Sequence, residues 1–454
     1  MASGQIEDRW LNKRKDPVTG KRARTARYGK GQRYRVKGIP GVRDRSFDTL
    51  DEAKRWQAKA SADTERGMFY DPRHGNVTLR EYVEQTWWPG LRVSPTSRET
   101  MRSRVFKHIL PHVGELRLNQ IGPDEIRLWL AAAEKSIDVN TAITTWRHFS
   151  AIMQAAYKSR PPKIPSNPFR DEDLSPPSRP PSKAKAWDEE RLYAVRQALD
   201  ARYRMLPDLG AGAGLRQGEA FGFSPDDIVG DEIHVARQVV RINSRLAFAP
   251  PKGNKTRTTP CAPALRQAIK AHQKEFPTVE VTLPWVDPDR PHLAWEDRPL
   301  VTVRLLTTTP RTSGISGGAI NRVTFDEKQW KPALVRAGVL PAPKKEVVHT
   351  GAGRSYTRRI YNMPREEGFH VTRHTFASAV LAAGETITQL AAWLGHSDPA
   401  FTLRTYVHFM PKSGSRGIEA IGEMLARRPG APTVSAARKS PESPQAPLQP
   451  PVEA

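Results

Sequence analysis

The chain has 454 residues, 38% of them hydrophobic, and 72 Lys and Arg against 48 Asp and Glu, a formal charge of +24. That length suits two to four domains, and a charge so positive points to a polyanionic partner, nucleic acid being the commonest. The one cysteine, Cys261, excludes a disulfide framework within the monomer and a cysteine-built zinc site. No apolar run approaches the ~18 residues of a membrane span, and the opening MASGQIEDRW lacks the apolar stretch of a secretory signal. A cytoplasmic, nucleoid-associated location with no membrane partner is therefore expected.

In chain order, residues 1–61 form a basic unit. From Arg9 to Arg45 there are fourteen Lys and Arg against two acids, Asp16 and Asp44. Short alternating runs between Gly-rich turns predict three strands, and Thr49–Glu52 has the form of a capping box opening a helix through Ala53, Trp56 and Ala60. A basic sheet of this kind can lie in a DNA groove. Residues 62–76 read as a linker.

Residues 77–175 carry apolar positions at helical spacing: Tyr82, Val83 and Trp87; a second helix over 95–109; a third opening at Pro123; and a fourth over 140–157 with Trp146, Phe149 and Ile152. A compact four-helix domain is predicted, its tryptophans in the core rather than stacking on bases. His108 and His112 stand four apart with no third ligand nearby, so no metal is expected. Pro, Ser and charge fill 161–185, and 176–185 is taken as a second linker, long enough to let two domains grip opposite faces of one ligand. Residues 186–425 are mixed helix and strand. One helix is expected across 207–221, the stretch 277–311 is poor in strand signals, a helix is expected at 321–337, and 344–364 reads as a long basic loop. The Pro- and Ser-rich residues 426–454 are expected to be a disordered tail.

Residues 369–406 gather His370, Arg373, His374, His396 and Tyr406. Cleaving a phosphodiester with a side chain needs a nucleophile, cations for the transition state and a proton for the leaving oxygen. Tyrosine can supply the first, arginine forks the second, and lysine or histidine the third. With no phosphate-binding loop and no paired-carboxylate cluster, neither a cofactor nor a metal is required.

In these residues the chain resembles the tyrosine recombinase (phage integrase) family. Gly214-Leu215-Arg216-Gln217-Gly218-Glu219 is similar to the family's first arginine box, and Pro251-Lys252-Gly253-Asn254-Lys255 to the hairpin turn bearing its lysine. His370-Val371-Thr372-Arg373-His374 is similar to the His-x-x-Arg box, and Leu394-Gly395-His396 to the next histidine box. Tyr406 follows His396 by ten positions. The resemblance implies a multidomain α+β fold: a β-sheet-plus-helix N-terminal DNA-binding domain of arm type, a helical SAM-like core-binding domain and a mixed α/β catalytic domain. It implies that Arg216 and Arg373 hold the scissile phosphate and that Lys252, with Lys255 as its rival in the same turn, protonates the leaving 5′ oxygen. His370 would assist proton transfer, His396 would bond the phosphate, and Tyr406 would attack to give a 3′-phosphotyrosine. Glu219 and His374 would be supporting, Glu219 by orienting Arg216. The implied partners are double-stranded attachment-site DNA, a homotetramer on that DNA, an excisionase or directionality factor and a host DNA-bending protein. Integration of a phage or mobile element is the leading expectation. A resolvase or invertase of the same chemistry, a topoisomerase-like relaxing enzyme and a non-catalytic DNA-binding regulator stand as rivals.

Overall fold

The computed structural model describes residues 4–17, 19–66, 69–178, 185–310, 317–349 and 355–409. The tail expected at 426–454, the end of the stretch 186–425 and part of the linker 176–185 lie outside those residues.

The N-terminal unit has five strands rather than three: β1 (Gln5–Asp8), β2 (Leu11–Lys15), β3 (Arg22–Arg24), β4 (Tyr34–Lys37) and β5 (Arg45–Phe47). They form an antiparallel sheet in the order β1-β4-β5 and a separate β2–β3 hairpin. The hairpin escaped the sequence reading because its residues 12–15 and 22–24 are all exposed, so no apolar alternation marks it. Helix α1 (Leu50–Glu65) closes the unit. Its predicted capping box is present, Thr49 accepting from the Glu52 amide and Glu52 from the Thr49 amide. Val36, Ile39, Ala53 and Ala60 are buried between sheet and helix, with Trp56 and Phe47 packed beside them.

Five helices, two of them single turns, follow: α2 (Leu79–Tyr82) running into a π-helical turn (Val83–Trp87), α3 (Pro95–His108), α4 (Leu110–Val113), α5 (Pro123–Glu134) and α6 (Val139–Lys158). Pro occupies the first turn of α3 and α5, where a missing N–H costs nothing. Asp138 caps α6 by accepting from the amides of Asn140 and Thr141. Trp129 is 2% exposed and donates its Nε1–H to the His108 carbonyl at 2.7 Å. It meets Phe149 edge to face, and Phe169 meets Trp146 and Phe149 in the same way. Trp129 and Trp146 are thus core residues, as expected.

The remainder contains α7 (Glu189–Ala198), α8 (Met205–Ala213), α9 (Gln217–Phe221), β6 (Ile228–Val229), β7 (Glu232–Val235), β8 (Gln238–Ile242), β9 (Arg245–Ala249), β10 (Arg257–Pro260), α10 (Pro263–Glu275), β11 (Val279–Pro284) and β12 (Leu300–Leu305). Then come α11 (Arg322–Phe325), a π-helical turn (Asp326–Trp330), α12 (Lys331–Arg336), β13 (Lys344–His349), β14 (Ser355–Ile360), α13 (His370–Ala382), α14 (Ile387–Leu394) and α15 (Pro399–Tyr406). A small antiparallel sheet, β10-β7-β6, is joined by three two-stranded hairpins, β8–β9, β11–β12 and β13–β14. One core of Leu206, Phe221, Phe248, Phe325, Trp330 and Phe369 lies beneath them, and a second of Phe376, Leu381, Leu390, Leu394 and Tyr406 beneath α13–α15.

Three expectations for this part are corrected. The single helix over 207–221 is two, because Gly214 sits at φ +64°, a left-handed cap that stops α8 and lets α9 restart in a new direction. The strand-poor stretch 277–311 holds the β11–β12 hairpin. The basic loop at 344–364 holds the β13–β14 hairpin, whose side chains are almost all exposed, so neither face has the apolar repeat that marks a half-buried strand.

Candidate active site

Arg216 is the residue at which the chain turns out of Gly214 into α9. Its backbone N–H donates to Glu219 Oε2 at 2.8 Å and its Nη1 to Glu219 Oε1 at 2.9 Å, while Nη2 donates to the Leu394 carbonyl at 3.3 Å. Glu219, three residues on and with a fully buried side chain, is held from the other side by Arg257, whose Nη1 and Nη2 donate at 2.9 and 2.6 Å. Burial raises the Glu219 pKa, but the Arg257 hydrogen bond and the charges of Arg257 and Arg216 outweigh it, bringing the carboxyl down to about 2.

Arg373, on the first turn of α13, is 1% exposed. Its Nη1 donates to the Gly214 carbonyl at 2.7 Å and its Nη2 to the Leu394 carbonyl, and Nη2 lies 3.3 Å from His396 Nε2. Its Nε is buried and has no protein partner. Burial, then the charges of Arg216 and Arg257, lower its proton affinity, yet a guanidinium stays charged at neutral pH. Since arginine can only donate, His396 Nε2 must accept, and His396 Nδ1–H then donates to Thr402 Oγ1 at 2.7 Å.

Tyr406 ends α15, with its hydroxyl 2.8 Å from His374 Nδ1 and its ring parallel to His396 at 6.5 Å. It is 1% exposed. Burial pushes the phenol up to about 12 despite the opposing charges of Arg373 and Arg216. His370 meets His374 edge to face at 4.7 Å. Desolvation is the main cause in all three histidines, bringing His370 to about 3 and His374 and His396 to about 4. All three are therefore neutral at pH 7.

An open cleft of about 1220 Å³ runs past this cluster, lined by Arg216, Lys252, His370, His374 and Arg404 on one side and by Thr96, Glu99 and Asn140 of the helical unit on the other. Lys252 sits in the β9–β10 turn and faces this cleft, while Lys255 of the same turn is not part of its lining. Arg216, Lys252, His370 and His374 thus line the cleft, and Glu219, Arg373, His396 and Tyr406 stand behind them, joined through the Arg216–Glu219 bond, the Leu394 carbonyl that Arg216 and Arg373 share, and the Arg373–His396 and His374–Tyr406 contacts. The sequence reading missed Arg257 and Thr402. No local signal marked Arg257, because the Glu219 carboxylate it holds stands 38 positions away.

The depressed histidines fix the sign of one pH effect. Below pH 6.5 the unfolded chain takes up protons that the folded site refuses until about pH 4 or lower, so their contribution to stability is complete above pH 6.5 and is lost as pH falls toward 4. Thermal melting of the DNA-free protein should drop across that window, and His370→Asn should flatten the drop. An unchanged slope in that variant would show that His370 does not carry it.

The sequence profile described as phage integrase, N-terminal SAM-like domain, matches residues 78–132. A XerC-like tyrosine recombinase of Caldanaerobacter subterraneus subsp. tengcongensis is 23% identical over 279 residues. The chain is thus similar in sequence to tyrosine recombinases. That match takes in 58% of this chain, which spans 61% of the relative's length. The fold is similar to that of the Tn1549 transposon integrase solved with transposon right-end DNA, at TM-score 0.53 and 17% identity over 77% of this chain and 100% of that one. It is also similar to a lambda integrase dimer on a COC′ core site, at TM-score 0.50 and 12% identity over 91% and 95%. Among the described residues no helix is long and apolar enough to cross a membrane.

Proposed function

We propose that this chain is a site-specific DNA recombinase of the integrase type, which cleaves and rejoins attachment-site DNA through a 3′-phosphotyrosine and so moves a phage or other mobile element. The observation that carries the reading is one connected cluster of two guanidinium groups, three neutral histidines and a tyrosine hydroxyl, of which Arg216, His370 and His374 line the cleft. The net charge of +24 supports a DNA partner, as do the Tn1549 and lambda relatives, which were solved with DNA.

In this reading the DNA lies in the cleft between the helical unit and the catalytic unit, and Arg216 and Arg373 take the non-bridging oxygens of the scissile phosphate. The Tyr406 oxygen attacks phosphorus. The neutral His374 Nδ1 aims the Tyr406 hydroxyl and takes its proton as the oxygen attacks, and the bond from phosphorus to the 5′ oxygen breaks as Lys252 donates a proton to that oxygen. His396 bonds the phosphate and His370 assists the proton transfer. A 5′ hydroxyl from the partner duplex then displaces Tyr406. One phosphodiester is exchanged for another, so no nucleotide cofactor is consumed. Two duplexes need four active sites, hence four protomers on DNA. Residues 1–61 would bind arm sites, 77–175 the core site, and 186–425 would carry the chemistry.

Covalent capture tests the reading. Wild-type protein incubated with a pool of nicked duplexes of randomised sequence should leave a protein–DNA adduct on a denaturing gel, and no adduct would overturn the proposal. Removal of residues 1–61 should spare this adduct while reducing integration. Loss of the adduct on truncation would refute the arm-site role.

A further inference from the structure

The carbonyl end of α14 receives three guanidinium groups. Arg216 and Arg373 both donate to the Leu394 carbonyl, and Arg257 donates its Nε–H to the Trp393 carbonyl at 2.7 Å. A helix C-terminus is the negative end of the macrodipole and suits such a cluster. Arg257 also fills the space beside Gly395, where a Cβ would lie 2.8 Å from its Cδ. Gly395 itself sits at φ +65°, a conformation other residues rarely adopt. The Arg257 side chain is only 5% exposed and that of Glu219 not at all, against 20% for Arg216. The one carboxylate in the cluster is therefore shared, bidentate to Arg257 and bonded once through a side chain to Arg216. Arg257 does not line the cleft.

We infer that Arg257 is a positioning residue for strand cleavage: it takes up the Glu219 carboxylate so that Arg216 keeps its charge for the phosphate, and it pins the turn that carries His396. This rests on the recombinase reading above. The charge balance makes the inference specific. Three guanidinium groups face one carboxylate, a surplus of two positive charges for a transition state that carries two negative ones. With Arg257 gone, Glu219 pairs with Arg216 alone, and the surplus halves at the place where the phosphate must bind. Removing the Glu219 charge as well restores it. A brace that acted only through packing would make the opposite prediction, because the double variant has lost two buried partners instead of one.

The test is the rate of covalent adduct formation on the randomised nicked-duplex pool in wild type, Arg257→Ala, Arg257→Lys and Arg257→Ala with Glu219→Gln. Arg257→Ala should cleave about 100-fold more slowly, by the scale of a lost transition-state donor. The double variant should recover about 10-fold or more of that loss, and Arg257→Lys, which keeps the charge and gives up the fork, should fall between Arg257→Ala and wild type. A double variant no faster than Arg257→Ala, or an Arg257→Ala rate equal to wild type, overturns the inference while leaving the recombinase reading standing. Absence of adduct in the wild type overturns both.

Discussion

Tyr406→Phe should leave the fold and DNA binding in place and abolish the covalent adduct. The phenylalanine ring keeps the packing of Tyr406 against His374, His396 and Phe409, so the second core beneath α13–α15 loses no volume. What goes is one hydroxyl and its 2.8 Å bond to His374. Leaving that imidazole nitrogen without a partner costs about 1–3 kcal/mol, tolerable for a domain of this size. The chemical loss is total, since no other side chain then presents the attacking oxygen. Tyr356, on β14, is 55% exposed and has none of these partners. An adduct that persists in Tyr406→Phe would move the nucleophile elsewhere. The Tyr406 hydroxyl is already placed against His374 of the same chain, so attack within one protomer is expected. Mixing Tyr406→Phe with Arg216→Ala should then yield no adduct, whereas attack across protomers would restore it. Because the tyrosine is 1% exposed in the DNA-free protein, α15 must shift before Tyr406 meets DNA. Phe401 and Leu403 of this short helix are exposed.

The local patterns were the legible ones. The capping box at Thr49 and the helix starts at Pro95 and Pro123 are written in neighbouring residues, and the structure shows them where the sequence places them. What was hidden depends on partners far along the chain. Arg257 meets Glu219 from 38 positions away and Trp393 from 136, and at the start of β10, two residues after Lys255, nothing marks it until the fold brings the carboxylate to it. The burial of Tyr406 was hidden for the same reason, since its pocket is made by α13 and α14. The β13–β14 hairpin failed in another way. A ribbon with both faces in solvent has no apolar period to read, and its lysines and arginines look like a loop. The helix drawn through Gly214 shows the opposite error, in which an apolar run outvoted a single left-handed glycine that decides where Arg216 points.

Arg373→Met should cut adduct formation by about 10²–10³-fold while moving the melting temperature of the DNA-free protein only slightly. Two effects oppose each other in the fold. The Gly214 and Leu394 carbonyls lose a charged donor, which costs about 1–3 kcal/mol. Against this, a buried cation beside two other guanidinium groups is removed, and its lowered proton affinity records how poorly that charge is tolerated before a phosphate arrives. Replacing a buried charge by an apolar chain of similar length is often neutral, so the fold should survive. Catalysis has no such compensation. The fork that reaches Gly214, Leu394 and His396 at once is absent from methionine. Lysine at 373 would present one compact charge in its place, so Arg373→Lys should also be slow. The decisive comparison is the single-turnover rate set beside the melting curve. A rate near that of wild type would remove Arg373 from the phosphate. A melting temperature lower by more than about 10 °C, set against the ~2–4 °C expected per kcal/mol in a domain of 150–250 residues, would show that its main task is to hold α13 against α8. A slow but stable variant is what a site strained in the free protein and relieved by its substrate must give.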